Sequence, residues 1–153
     1  HEQWDSGWEA TMQVNVVESA SLGREAVAHF LPNGGGVLIS MSSWSGQKGS
    51  SLPSLSAYAA SKAAIKAFTQ TIATSYAKDG VLAYIIAPGI VKTRMSDLAA
   101  VIRGGEEQMK SSLVLGELVT PDELGNLAVF LASGKCRHLT GATLDVNGAS
   151  YIR

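Results

Sequence analysis

Residues 57–89 read AYAASKAAIKAFTQTIATSYAKDGVLAYIIAPG, and this stretch decides the fold class. Its first part, Ala57 to Lys78, is rich in Ala, Ile and Phe and contains neither Pro nor Gly, which predicts a long helix. Asp79-Gly80 ends that helix. The apolar run from Val81 to Ala87 follows, and Pro88-Gly89 breaks it where the carboxyl end of a buried strand would lie. The stretch therefore predicts a helix that leads directly into a strand.

The preceding segment repeats this order. Apolar residues recur at helical intervals from Trp8 to about Leu31, and the run Pro32-Asn33-Gly34-Gly35-Gly36 ends the pattern. Val37-Leu38-Ile39 then predicts a short buried strand, and the Gly, Ser and Pro content of Ser45 to Ser56 predicts a loop. We therefore expect a long amphipathic helix, a parallel strand and a loop before Ala57.

The following segment predicts one more helix and one more strand. Gly89 to Gly116 is mixed in character, with a short helix near Asp97 to Lys110 interrupted by Gly104-Gly105, and could form a mobile lid. Thr120 is the expected N-cap of a helix that has Pro121 in its first turn and runs to about Ala132, and Thr143 to Val146 is the expected last strand. Helices and strands alternate throughout, with connections long enough for parallel pairing, so residues 1–153 are expected to form one α/β domain.

Composition excludes several classes of partner. The 153 residues are 46% hydrophobic and 16% charged with a formal net charge of -1, and no Lys/Arg cluster is present, so neither nucleic acid nor an anionic membrane is an expected partner. The one cysteine, Cys136, cannot form an intrachain disulfide, and no Cys/His cluster has the spacing of a metal site. The polar N-terminus does not resemble a signal peptide, and no apolar run is long enough to span a membrane. A cytoplasmic protein without a metal site is expected.

The end of the first predicted strand and the start of the helix after its loop carry residues suited to carbonyl–alcohol chemistry. Tyr58 and Lys62 lie four residues apart and so share one face of the predicted helix. A tyrosine hydroxyl is a poor base at neutral pH, but an ammonium group beside it stabilises the phenolate. Ser43, at the end of the first strand, could donate a hydrogen bond to the same substrate oxygen as Tyr58. Trp44, the next residue, either lines the substrate pocket or packs in the interior.

The surrounding motifs resemble the classical short-chain dehydrogenases/reductases, including 3-oxoacyl reductase-like members, over nearly the whole chain. Their order and spacing also agree with that family, and several independent motifs in order are more specific than Tyr-x-x-x-Lys alone. The motifs are Trp8 to Val16 with Asn15, Ile39 to Gly46 with Ser42-Ser43, Tyr58-Ala59-Ala60-Ser61-Lys62, Pro88-Gly89-Ile90-Val91-Lys92-Thr93, and Leu139 through Asn147-Gly148.

The resemblance implies a role for each of these residues. Tyr58 would be the general acid/base, Lys62 would stabilise its phenolate and hold the nicotinamide ribose, Ser43 would orient the substrate oxygen, and Asn15 would support a water-linked proton relay. The Pro88-Gly89 motif would contact the nicotinamide of NAD or NADP, with the backbone of Val91 and the side chain of Thr93 at its carboxamide. The resemblance also implies a Rossmann-like doubly wound parallel sheet, of which this chain supplies about three strands and their helices.

Three departures from the family pattern bear on this interpretation. The loop between Ser43 and Tyr58 is about two residues longer than in many relatives, which leaves Ser45 as an alternative to Ser43. Ala149 stands where a second glycine often follows Asn147-Gly148. The sequence contains no glycine-rich phosphate-binding turn between a strand and a helix, since Gly34-Gly35-Gly36 precedes a strand. We therefore expect the C-terminal portion of a longer protein.

These observations predict an NAD(P)-dependent oxidoreductase of a small carbonyl or secondary-alcohol substrate. The alternative is a catalytically inactive α/β fragment or interaction subunit that lacks the contacts to the cofactor phosphates. The two long helices, Trp8 to Leu31 and Ala57 to Lys78, are those that relatives use to pair subunits, so the resemblance further implies a homo-oligomer, either a dimer or a tetramer.

Overall fold

Three parallel strands form the sheet in the computed structural model, which describes residues 2–102 and 104–153. Strand β1 is Gly36–Met41, β2 is Val81–Pro88 and β3 is Thr143–Val146. Their order across the sheet is β1-β2-β3, and both neighbouring pairs run parallel. The predicted α/β architecture with about three parallel strands is confirmed.

Seven α-helices are assigned within the described residues, and they connect and cover these strands. They are α1 (Glu2–Met12), α2 (Ser19–Phe30), α3 (Ser45–Lys48), α4 (Ser56–Tyr76), α5 (Arg94–Ile102), α6 (Glu106–Ser111) and α7 (Pro121–Ala132).

Strand β2 is the centre of the protein, and all eight of its residues are buried. Alternate side chains enter two different clusters because successive residues of a strand point to opposite faces. On one face, Val81 and Ala83 pack with residues of α2 and α4, including Val27 and Ile72. On the other face, Leu82, Tyr84 and Ile86 pack against α7. Helices on both faces of a parallel sheet are the arrangement expected of a doubly wound fold.

Helix α4 forms most of the first face. Its buried residues recur mainly at intervals of four, as a helix with one side against a sheet requires; they are Ala57, Ser61, Ile65, Thr69, Ile72 and Ala73. The helix ends at Tyr76, two residues before the predicted end, and a 3₁₀ turn from Ala77 to Asp79 leads to Gly80. Gly80 has φ +81°, a left-handed conformation that glycine adopts without strain.

The first helical region differs from the regular helix that its periodicity predicts. Residues Gln13–Glu18 form a π-helical segment between α1 and α2. The Ser19 hydroxyl, at the start of α2, donates to the Val14 carbonyl of this segment, 3.2 Å away, and the Asn15 amide donates to a residue of α4. The contact of Asn15 with α4 is tertiary, so the local apolar pattern contained no sign of it.

Residues Ser45–Ser56, predicted to be a loop, are partly helical. They contain the short helix α3 and a 3₁₀ turn at Pro53–Leu55. The Ser45 N–H donates to the Ser43 Oγ at 3.1 Å, which stabilises the first turn of α3. The predicted start of α7 is confirmed, because Thr120 and Glu123 form a capping box with Pro121 in the first turn.

Residues 90–119, the outer segment, pack mainly around a cluster of their own. Ala100, Met109 and Leu118 are its buried members. Helices α5 and α6 are separated near Gly104 and Gly105, as the sequence predicted. No helix in the described part of the chain is long and apolar enough to cross a membrane.

Candidate active site

The carboxyl ends of β1 and β2 are joined by hydrogen bonds beyond the last pair of the ladder. The Ser42 N–H donates to the Ile86 carbonyl at 2.8 Å, and the Trp44 N–H donates to the Pro88 carbonyl at 2.9 Å. Ser42 and Ser43 are almost completely buried. The predicted serine segment therefore lies on the end of β2, at the sheet edge where parallel α/β proteins place ligands.

Helix α4 is held against this edge by two polar contacts of Lys62, one through its backbone carbonyl and one through its ammonium group. The Ser42 hydroxyl donates to the Lys62 carbonyl at 2.8 Å, and the Lys62 ammonium donates to the Met41 carbonyl at 3.0 Å. Helix α3 touches the same turn of α4, because a Cβ on Gly46 would lie 2.8 Å from the Lys62 carbonyl carbon. These contacts define the region that holds the candidate catalytic residues, Met41–Lys48 and Ser56–Lys62, which we call the catalytic corner.

Tyr58 and Lys62 face each other on α4, as their spacing predicted. The Lys62 Nζ lies 5.7 Å from the centroid of the Tyr58 ring. Burial lowers the pKa of Lys62 because it removes water from the charged ammonium. Tyr58 is half-buried, and within residues 2–102 and 104–153 its hydroxyl has no hydrogen-bond partner. The hydroxyl is thus available to a ligand while the cation beside it is partly desolvated.

Ser43 and Ser45 occupy different positions in the corner. Ser43 is 5% exposed, and its Oγ accepts the Ser45 N–H. Its own hydroxyl proton is not donated to any group in the described residues, so it can be donated to a substrate oxygen. Ser45 begins α3 and supplies the backbone donor of this contact. The Ser45 hydroxyl likewise has no hydrogen-bond partner in the described residues, so both serines stay candidates for the predicted role.

Asn15 reaches the corner through an intermediate residue. Its Nδ2 donates to the Ser61 Oγ at 3.0 Å, and the Ser61 hydroxyl donates to the Tyr58 carbonyl at 2.8 Å. Ser61 is fully buried. Asn15 therefore braces the turn of α4 that carries Tyr58.

The Pro-Gly motif lies at the end of β2, beside both neighbouring strands. The Gly89 N–H donates to the Val146 carbonyl at 2.9 Å, and a Cβ on Gly89 would lie only 3.0 Å from the Asn147 Cβ. Glycine thus allows the close approach of the residues that follow β3. Pro88 accepts a backbone hydrogen bond from Trp44, which connects this motif to the catalytic corner.

Val91 and Thr93 lie farther along the same connection. Val91 forms a parallel bridge with Val119, in which the Lys92 N–H donates to Val119 and the Val119 N–H donates to the Ile90 carbonyl. The Val91 N–H itself has no acceptor in the described part of the chain. The Thr93 side chain is exposed, and its hydroxyl donates to the Val91 carbonyl at 3.4 Å. Both residues therefore leave groups that a ligand could contact.

Two positioning residues were not identified from the sequence. Ser42 and Ser61 are buried, and their hydroxyls bond to the carbonyls of Lys62 and Tyr58. The signal available in the sequence was a serine directly beside a candidate site residue within a motif.

No group of three or more His, Cys, Asp or Glu side chains in residues 2–102 and 104–153 is arranged to hold a metal ion.

Comparison with known proteins gives the family. A family model described as enoyl-(acyl carrier protein) reductase matches residues 1–149. The chain belongs to the short-chain dehydrogenase/reductase family. Among solved structures, a Tyr→Phe variant of ElxO with NADPH bound superimposes with a TM-score of 0.83 at 22% identity, covering 94% of this chain and 57% of that chain. This similarity supports the Rossmann-like fold of the family.

Curated relatives include dehydrogenase/reductase SDR family member 4 of Caenorhabditis elegans, 30% identical over 97% of this chain and 58% of that protein. The human protein of the same name is 30% identical over 95% of this chain and 52% of its own length. Diacetyl reductase [(S)-acetoin forming] of Staphylococcus aureus is 34% identical over 79% of this chain and 50% of its own length. The chain of this short-chain dehydrogenase/reductase thus matches about half the length of these relatives.

Proposed function

We propose that this chain carries the proton-transfer site of an NAD(P)-dependent oxidoreductase that interconverts a carbonyl compound and a secondary alcohol. The observation that carries the proposal is the arrangement of Tyr58, with an available hydroxyl, beside the partly desolvated ammonium of Lys62. The buried Ser43 at the adjacent strand end supports it. Relatives named as dehydrogenases and reductases support the same class of reaction.

Each residue of the corner would have a separate task. Tyr58 would donate its proton to the substrate oxygen during reduction and accept it during oxidation. Ser43 would donate a hydrogen bond to that oxygen and stabilise the charge that develops there. Lys62 would stabilise the phenolate by its charge, and Asn15, acting through Ser61, would keep the Tyr58 turn of α4 in place.

The polar groups in this region fit a nicotinamide nucleotide. The hydroxyl of Tyr58 and the ammonium of Lys62 suit ribose hydroxyls, whereas the Val91 N–H and the Thr93 hydroxyl suit a carboxamide. Gly89, after Pro88, lets Asn147 approach the end of β2 closely. When bound, the cofactor supplies or accepts the hydride.

The test is to titrate NADH and NADPH separately against the intact protein and against a double variant, Tyr58→Phe with Lys62→Ala. We expect binding by the intact protein, loss of most of it in the double variant, and a preference that identifies the cofactor. Lys78→Ala, which removes an exposed lysine near the amino end of β2, should bind as the intact protein does. Equal binding by the intact protein and the double variant would contradict the site.

A second candidate is an interaction subunit without cofactor binding. One edge of β1 pairs with β2, and the other edge has no strand beside it in residues 2–102 and 104–153. Met41 on β1 is 42% exposed, whereas β2 is buried throughout. An unpaired edge can receive a strand from another segment or chain. Absence of NADH and NADPH binding by the intact protein would favour this candidate.

We also propose a homo-oligomer, a dimer or a tetramer, that assembles through α2 and α4. An apolar groove of about 330 Å³ lies between these helices, lined by side chains that include Val27, Leu31, Phe68 and Ile72. Light scattering after size exclusion should give at least a dimer. A monomer at all concentrations up to the solubility limit would contradict the assembly.

A further inference from the structure

An aromatic side chain lies directly beside the candidate serine. The backbone N–H of Trp44 donates to the Pro88 carbonyl. The Cε3 atom of the Trp44 ring lies 3.6 Å from the position that a Cβ on Gly89 would occupy. The indole therefore packs against the end of β2. Trp44 directly follows Ser43 in the chain, so both residues lie at this end of the sheet.

A lysine lies over this indole. The Lys48 Nζ is 4.2 Å from the Trp44 ring centroid and 5.8 Å from the centroid of the Tyr151 ring. Tyr151 is itself held by Asn147, whose amide donates to the Tyr151 carbonyl at 3.0 Å. We call Trp44, Lys48 and Tyr151 the cationic cluster. Its two aromatic rings restrict an exposed ammonium that would otherwise sample many positions.

Lys48 has no ion-pair partner in residues 2–102 and 104–153. The carboxylate of Asp145 accepts a hydrogen bond from the neighbouring Gln47, but it is paired with Arg153 at 2.9 Å. The cluster therefore presents an uncompensated positive charge at the rim of the catalytic corner.

We propose that the cationic cluster binds an anionic group of the substrate, so that the substrate is a carbonyl or hydroxy compound that also carries a carboxylate or phosphate. This inference rests on the proposed function, because it places the substrate carbonyl at Ser43 and Tyr58. Lys48 provides the attraction for the anion, and the two rings hold Lys48 in place. A neutral substrate of the same size lacks this contact and binds more weakly.

The test compares two probes of similar shape, acetoacetate and its neutral methyl ester, by NMR titration of the indole N–H signals. The Trp44 signal is assigned with Trp44→Phe. We expect acetoacetate to bind about fivefold more tightly than the ester, the size expected for one partly exposed ion pair. Lys48→Gln should abolish the preference and Lys48→Arg should retain it. Lys78→Gln should leave it unchanged.

Equal affinities for the two probes, no binding of acetoacetate, or a preference that survives Lys48→Gln would each overturn the proposal. The titration needs neither turnover nor cofactor, so its failure is separable from failure of the proposed function. Tyr58→Phe, which removes the proton donor, should keep the full preference for acetoacetate. A preference in a protein that binds no nicotinamide nucleotide would retain the anion site and favour the second candidate, the interaction subunit.

Discussion

The catalytic corner and the outer segment, residues 90–119, are built in different ways. In the corner, the polar groups of Ser42 and Lys62 are bonded across separate elements. They lie at the end of the core around β2, which we call the main core. The outer segment has a small cluster of its own, around Met109, and exposes Met95 and Val101 to solvent. The bridge between Val91 and Val119 lies within the segment, whereas the Val114 N–H donates a hydrogen bond to the Ser150 Oγ outside it.

Because of this difference, the candidate site residues are held more firmly than the outer segment beside them. A movement of Tyr58 or Ser43 would disrupt α4 or β1, and with them the main core. Unfolding of the outer segment would break mainly its own cluster, and segments with few shared contacts open at a lower free energy than the core. We therefore expect a rigid catalytic corner next to a segment that opens independently.

The largest effect should come from truncating one buried side chain in the main core, compared with one in the cluster of the outer segment. Ile72→Ala, in the main core, should lower the free energy of unfolding by about 3 kcal/mol, because it leaves a cavity under β2. Native-state hydrogen exchange should then show reduced protection in β1, β2 and α4 together. Met109→Ala should reduce protection mainly in α5 and α6. Equal loss of protection in β2 in both variants would show that the outer segment unfolds with the core.

The contact of α3 with α4 gives the next effect. In Gly46→Ala the new Cβ would meet the backbone of Lys62 and Ala63 at under 3 Å, so α3 must shift. We expect a loss of about 2 kcal/mol in urea denaturation. Gly125→Ala on α7 is the matched control, because no atom of the described residues would lie within 4 Å of its Cβ. It should instead stabilise the protein by about 0.5–1 kcal/mol through helix propensity.

The brace through Ser61 should have a smaller effect. Ser61→Ala removes the acceptor of the Asn15 amide and the donor to the Tyr58 carbonyl, which should cost about 1 kcal/mol of unfolding free energy. Thr74→Ala, on the exposed part of the same helix, removes only hydrogen bonds to nearby helix carbonyls and should change stability little. Indistinguishable denaturation curves for the two variants would contradict a bracing role for Asn15.

The smallest effect should come from Ala149, in the turn beside Ser150, to which the outer segment is hydrogen-bonded. Ala149 has φ +59°, at a position where the family often has a glycine. Ala149→Gly should remove backbone strain and add flexibility to the unfolded chain, leaving a net stabilisation of about 0.5 kcal/mol. Thermal unfolding measures this change. A decrease in Tm would show that the methyl group of Ala149 contributes contacts worth more than the strain.

Much of the fold followed from local patterns. The run from Val81 to Ala87 is apolar at every position, which suits a strand covered on both faces. The start of α7 was correct to the residue, because Thr120, Pro121 and Glu123 satisfy neighbouring backbone groups without help from distant residues. The four-residue spacing of Tyr58 and Lys62 was sufficient to predict their shared face. Their chemical roles stay predictions.

Other features depended on residues far apart in the chain. The sequence by itself determined the alternation of helices and strands, the cap of α7 and the Tyr58–Lys62 pair, because each follows from backbone periodicity over a few residues. Only the tertiary structure decided the π-helical segment at Asn15 and the meeting of Lys48 with Tyr151. Those contacts form between side chains that chain folding brings together, and their energy depends on distances that no local pattern records.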